Sequence, residues 1–120
     1  MSSKLRNRVV YYTTPNGKMP VKDFIDSLAD TQKTKVFNTF QLYQESGLIG
    51  LIPHTKHLTG TPLWEIRIVG KDSVRILYVS RTKNSILALH GFIKKKQKTP
   101  TKEIKTALER LKKWKIVYGP

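Results

Sequence analysis

From Trp64 to Ile93 the side chains alternate with period two, interrupted by two short turn clusters, and this pattern constrains the fold more than any other feature of the chain. Trp64, Ile66 and Ile68 fall on one side of an extended strand, with Glu65 and Arg67 on the other. Gly70-Lys71-Asp72 supplies a turn, residues 74–79 a second strand, Thr82-Lys83-Asn84 another turn, and residues 85–93 a third strand. Three strands joined this closely form an antiparallel meander, because a parallel pairing would need a long crossover.

The flanking segments carry other periods. Residues 6–13 are β-branched and aromatic and end in the turn cluster Thr14-Pro15-Asn16-Gly17, which predicts an earlier strand. Pro20 suits the first position of a helix in which Val21, Phe24, Ile25 and Leu28 share a face. Asp30 is placed to cap a second helix with Val36, Phe37, Phe40 and Tyr43 as its apolar stripe and Gly47 as its stop. A loop through Pro53 and Gly60-Thr61-Pro62 leads into the meander. Thr99-Pro100 opens a last helix with Ile104, Ala107, Leu108 and Leu111 on one face. The expected fold class is α+β, in the order β-α-α-β-β-β-α, with a small, mostly antiparallel sheet packed on a helical hairpin. At 120 residues the chain is expected to be one domain over 1–120, with its core within about 5–114.

Charge narrows the partner. The chain carries 23 Lys+Arg against 8 Asp+Glu, a net +15 that exceeds what solubility needs and opposes compaction. Residues 1–50 hold seven basic and four acidic side chains, so most of the excess lies in residues 51–120. A polyanion is the expected partner, and nucleic acid fits better than an anionic membrane because no basic segment has a broad apolar face. No apolar run of spanning length or secretory leader is present, and with no cysteine the chain has neither disulfides nor thiol catalysis, so a cytoplasmic location is expected.

Alternation puts Glu65 and Arg67 on one face, about 7 Å apart. A hairpin register would bring Arg75 across from Arg67, and two guanidiniums on one face suit a phosphate because each is a planar, permanently charged fork. Spacing alone also allows a merely solvated face. The run Lys94-Lys95-Lys96-Gln97-Lys98 should gather at one end of the sheet, either as a phosphate site or as a solvated linker. Lys56 and His57 in the preceding loop are further candidates for RNA contact, with Lys96 and Lys98. His54-x-x-His57 has no third ligand and no cysteine to complete a metal site, so no metal and no other cofactor is expected. His90 alternates with Ala88 and Phe92, which leaves it equally a structural histidine or a general acid or base.

Four blocks in order, Leu63-Trp64-Glu65-Ile66-Arg67, Val74-Arg75-Ile76-Leu77-Tyr78, Ala88-Leu89-His90-Gly91-Phe92-Ile93-Lys94-Lys95 and Gln97-Lys98-Thr99-Pro100, resemble the RelE/ParE toxin superfamily. The phage-derived HigB-like branch of type II toxin–antitoxin systems is the most similar. The resemblance implies metal-independent, ribosome-dependent endonucleolytic cleavage of mRNA, by attack of the ribose 2′-hydroxyl on the adjacent phosphate. It also implies the ribosome, mRNA and a cognate helix-turn-helix antitoxin of HigA type as partners. Residue by residue, Arg75 matches a phosphate-binding arginine, Arg67 a catalytic lysine, Glu65 a lysine two positions earlier, and Lys94 or Lys95 an arginine after the last strand. The family's helical catalytic tyrosine has no counterpart, since Ile104 or its neighbours stand there. Glu65 is then a candidate base, with His90 or His57 as the acid. Because charged side chains on a solvent face contribute little, losing Arg75 is expected to leave stability almost unchanged. The competing readings are a non-catalytic RNA-binding module and a gyrase-poisoning toxin of ParE type.

Overall fold

A computed structural model of the chain describes residues 6–70, 73–95 and 97–120. The order is β1 (Arg8–Tyr11), α1 (Pro20–Asp26), α2 (Asp30–Ser46), α3 (Leu48–Leu51), a 3-10 turn (Ile52–His54), β2 (Thr55–His57), β3 (Trp64–Ile68), β4 (Ser73–Thr82), β5 (Ser85–Lys94) and α4 (Thr101–Tyr118). The expected order therefore gains a short third helix and an edge strand, β2, within the stretch read from sequence as a loop. At three residues, β2 is too short to show alternation; its place is set by antiparallel pairing with β3, His57 opposite Trp64.

The five strands form one sheet in the order β1-β5-β4-β3-β2. The meander is antiparallel as expected, and β1 joins its far edge in parallel with β5. Both faces of the sheet are covered. On one, Ile66, Ile68, Val74, Ile76, Ile86 and Ala88 pack against Val21 and Ile25 of α1 and Val36, Phe40 and Tyr43 of α2. On the other, Leu77, Val79, Leu87, Leu89 and Phe92 pack against Ala107, Leu111 and Trp114 of α4, with Ile104 and Leu108 partly buried beside them. The helical hairpin is thus only half of the packing. Phe37 leaves its assigned stripe, with 46% of its surface exposed, and Thr39 takes a buried place in α2 by donating to the Lys35 carbonyl. Asp30 begins α2 rather than capping it, since Ala29 holds the cap position.

A β-bulge in β5 redirects the strand. Leu77 faces His90 while the next residue, Tyr78, faces Ala88, so Leu89 is the extra residue between them. Upstream of it Leu87 points towards α4 and Ala88 away; downstream the parity is reversed, and His90 and Phe92 point towards α4. The sequence reading, which set His90 on the same side as Ala88, is corrected by this one residue. Gly91 then faces α1 so closely that an added Cβ would collide with the Phe24 ring. Glycine here lets the helix pack over the kinked strand.

Candidate nucleic-acid interface

Cross-strand register assembles the site. Lys56 pairs with Glu65, Glu65 with Leu77, Arg67 with Arg75, Arg75 with Phe92 and Leu77 with His90, so these side chains share the sheet face under the first half of α4. The two arginines stand directly opposite one another, as a tight hairpin requires. Arg67 is exposed and Arg75 half-buried.

Glu65 is no surface ornament. Its side chain is 1% exposed, and its carboxylate meets two groups: Oε2 accepts from the Thr99 hydroxyl, and Oε1 lies 3.4 Å from Nε of Arg75. Leaving a carboxylate this far from water is tolerable only against a counter-charge and a donor. Arg75 supplies the charge from 3.4 Å. Its Nε–H has no acceptor among the described residues, and Nη1 donates to its own neighbour's Val74 carbonyl at 3.1 Å. Burial pulls the Arg75 guanidinium below its ordinary pKa; Glu65 opposes that shift and Arg67 adds to it. It remains a cation, since arginine is not deprotonated in proteins.

The basic segment after β5 is tied to this face at both ends. Lys94 closes β5 opposite Ser73, and Thr99 is fastened to Glu65. Lys95 and Lys98 lie exposed between these anchors, while Lys96 lies outside the described residues. Lys56, also exposed, joins them on β2. His57 does not join them. It follows Lys56 on the strand and so takes the other face, where its Nε2 pairs with the Thr61 carbonyl at 2.7 Å and its ring lies 5.0 Å from that of Trp64. Among the described residues, no three His, Asp or Glu side chains gather as a metal cluster.

His90 sits in a network absent from the sequence reading. Arg110 of α4 donates from Nη1 to the Leu89 carbonyl at 2.9 Å, and the same nitrogen lies 3.2 Å from Nδ1 of His90. A guanidinium can only donate, so Nδ1 must be the acceptor, and Nε2–H therefore donates to Glu103 at 2.8 Å. Arg110 thus holds the bulge carbonyl and fixes the neutral tautomer of the histidine beside it. Burial lowers the His90 pKa, the hydrogen bond to Glu103 opposes this, and the Arg110 charge adds to it. The depressed value means that His90 contributes stability above its unfolded pKa of 6.5, which is lost as pH falls from there towards the folded value. We expect His90→Gln to flatten the decline of Tm below that pH; a slope equal to the wild type's would show that another group is responsible.

The family model described as Phage derived protein Gp49-like (DUF891) matches residues 23–112. The chain belongs to that family. The Gp49-like family lies within the RelE/ParE-like toxin superfamily, which agrees with the four sequence blocks and makes this a toxin-like protein. A search of curated proteins found no match. The matched span contains all the cationic and acidic groups of this Gp49-like face, from Lys56 to Arg110, and leaves out β1 and the last residues of α4. No helix among the described residues is long and apolar enough to cross a membrane.

Proposed function

We propose that the protein is a toxin of the HigB-like kind, an endoribonuclease that cleaves mRNA on the ribosome and is held silent by a helix-turn-helix antitoxin. The observation that carries this reading is the Arg67–Arg75 pair: two arginines stand opposite each other across adjacent strands, and Arg75 is anchored by the charge of the buried Glu65 carboxylate. Paired guanidiniums on one face suit a phosphate whose oxygens gain charge as it reacts.

In the proposed reaction the ribose 2′-oxygen bonds to the adjacent phosphorus, and the bond to the 5′-oxygen of the next nucleotide breaks. The 2′-proton passes to solvent water, and water returns a proton to the leaving oxygen. The products are a 2′,3′-cyclic phosphate and a 5′-hydroxyl end. Arg75 and Arg67 bind the phosphorane oxygens, and Lys94, Lys95, Lys96, Lys98 and Lys56 hold the flanking backbone. Glu65 acts by holding Arg75 and Thr99, because both of its oxygens are already engaged. Both ring nitrogens of His90 are engaged in the same way, Nδ1 by Arg110 and Nε2–H by Glu103, so His90 holds α4 against this face.

The test is single-turnover cleavage of mRNA on programmed ribosomes, with the new ends analysed. The expected result is a 5′-hydroxyl fragment, and a 5′-phosphate end would refute the 2′-hydroxyl route. If the purified protein inhibits gyrase and leaves mRNA intact, the ParE-type reading takes its place. Binding should also weaken steeply with salt. If the six described cations at Lys56, Arg67, Arg75, Lys94, Lys95 and Lys98 all contact phosphate, the plot of log affinity against log salt should have a slope of about −4 for single-stranded RNA. A flat plot would remove the polyanion from the argument.

A further inference from the structure

A second cleft lies at the other end of α4. It has a volume of about 480 Å³, and its lining includes Trp64, Arg81, Thr82, Trp114, Lys115 and Tyr118. Arg81 follows Arg75 by six positions on β4, so the cleft lies on the order of 20 Å along the strand from the paired arginines. Its distal wall, Trp114 to Tyr118, falls outside the residues matched by the family model. Nothing in the cationic face described above requires it.

The lining is aromatic and basic with no acidic side chain. Trp114 is already committed: the Tyr118 ring lies against it at 4.1 Å and the Arg81 guanidinium stands 5.8 Å from its centroid. Those contacts set Arg81 and Tyr118 beside the same indole. Tyr118 remains 61% exposed, a large ring left open to solvent beside Trp114. An exposed ring beside Arg81 and Lys115 suits a ligand that is flat and anionic at once. A nucleotide is both, whereas an acidic peptide offers the charge without the flat face.

We propose that this cleft is a second RNA subsite, taking one nucleotide of a single strand with its base against Tyr118 and its phosphate on Arg81 and Lys115. The inference rests on the reading of the protein as an RNA-binding toxin and extends it. RNA held at Arg75 would run along α4 and be gripped again several nucleotides away.

Trp114 lies against Tyr118 and Arg81 in this cleft, so its emission, read in a Trp64→Phe background, reports on the cleft and not on Arg75. A short oligoadenylate is titrated while emission is followed, alongside the anisotropy of the same RNA carrying a label. The expected result is saturable quenching that survives Arg67→Ala. Tyr118→Ala and Arg81→Ala should each raise the Kd read from quenching about tenfold, the scale of one lost stacked base or cation contact, and Tyr118→Phe should restore it. RNA that binds by anisotropy without altering emission, or that binds Tyr118→Ala as tightly as wild type, overturns the subsite and leaves the cleavage site standing. Equal quenching by polyglutamate assigns the cleft to an acidic protein segment and overturns it too. No binding of RNA by either readout sinks the proposed function, and the subsite with it.

Discussion

Arg75→Lys is expected to fold like the wild type and to cleave mRNA about 10²–10³-fold more slowly, a loss of roughly 2.7–4 kcal/mol in the chemical step. Lysine keeps a cation beside the Glu65 carboxylate, which satisfies the buried charge, but it has no planar fork to span two phosphate oxygens. The charge on those oxygens grows on the way to the phosphorane, so the missing donors cost more in the transition state than in the bound complex. Arg75→Ala should lose activity as well, and it should also lose stability. The sequence-level expectation of an indifferent fold fails here because the side chain is only 12% exposed and its partner 1%. Removing the arginine leaves a carboxylate out of water with no counter-charge, a defect worth about 3–5 kcal/mol. Single-turnover rates and melting curves on both variants separate the two effects. If Arg75→Lys cuts at the wild-type rate, the guanidinium is not the phosphate ligand.

Much of this site could be read from the residues. Alternation with a short turn at each end sets a hairpin register, and Arg67 opposite Arg75 follows from it. The helix faces were legible for the same reason, since Val21, Ile25, Ala107 and Leu111 are buried where their spacing puts them. Three things were not legible. The depth of Glu65 depends on where α4 lands, and its neighbour Thr99 is 34 residues away in sequence. The orientation of His90 depends on one surplus residue in β5, and a bulge leaves no mark on an alternating pattern except a glycine with more than one explanation. The exposure of Phe37 depends on how α2 rotates against the sheet, which a stripe four residues wide does not fix. Each of these is a tertiary fact that sequence periodicity does not carry.

The same dependence on burial makes Glu65 the position where stability and chemistry can be separated most cleanly. Glu65→Ala should remove the counter-charge of Arg75 and the acceptor of Thr99 together, destabilising the fold by about 3–5 kcal/mol. In a chain of this size that is a fall in Tm on the order of 10–20 °C. Glu65→Gln should cost much less, since the amide oxygen can face Arg75 while its NH2 donates to the Thr99 hydroxyl. If Glu65 only positions Arg75, the glutamine variant keeps its cleavage rate within about tenfold and its pH profile unchanged; a general base would lose far more than that on conversion to an amide. A double replacement, Glu65→Ala with Arg75→Ala, completes the cycle. With both charges gone neither is left uncompensated, so the double variant should lose clearly less stability than the two single variants added together, while cleaving nothing. Destabilisation equal to the sum of the two alanine variants would mean that the carboxylate and guanidinium are not coupled, and the anchoring of Arg75 by Glu65 would have to be given up.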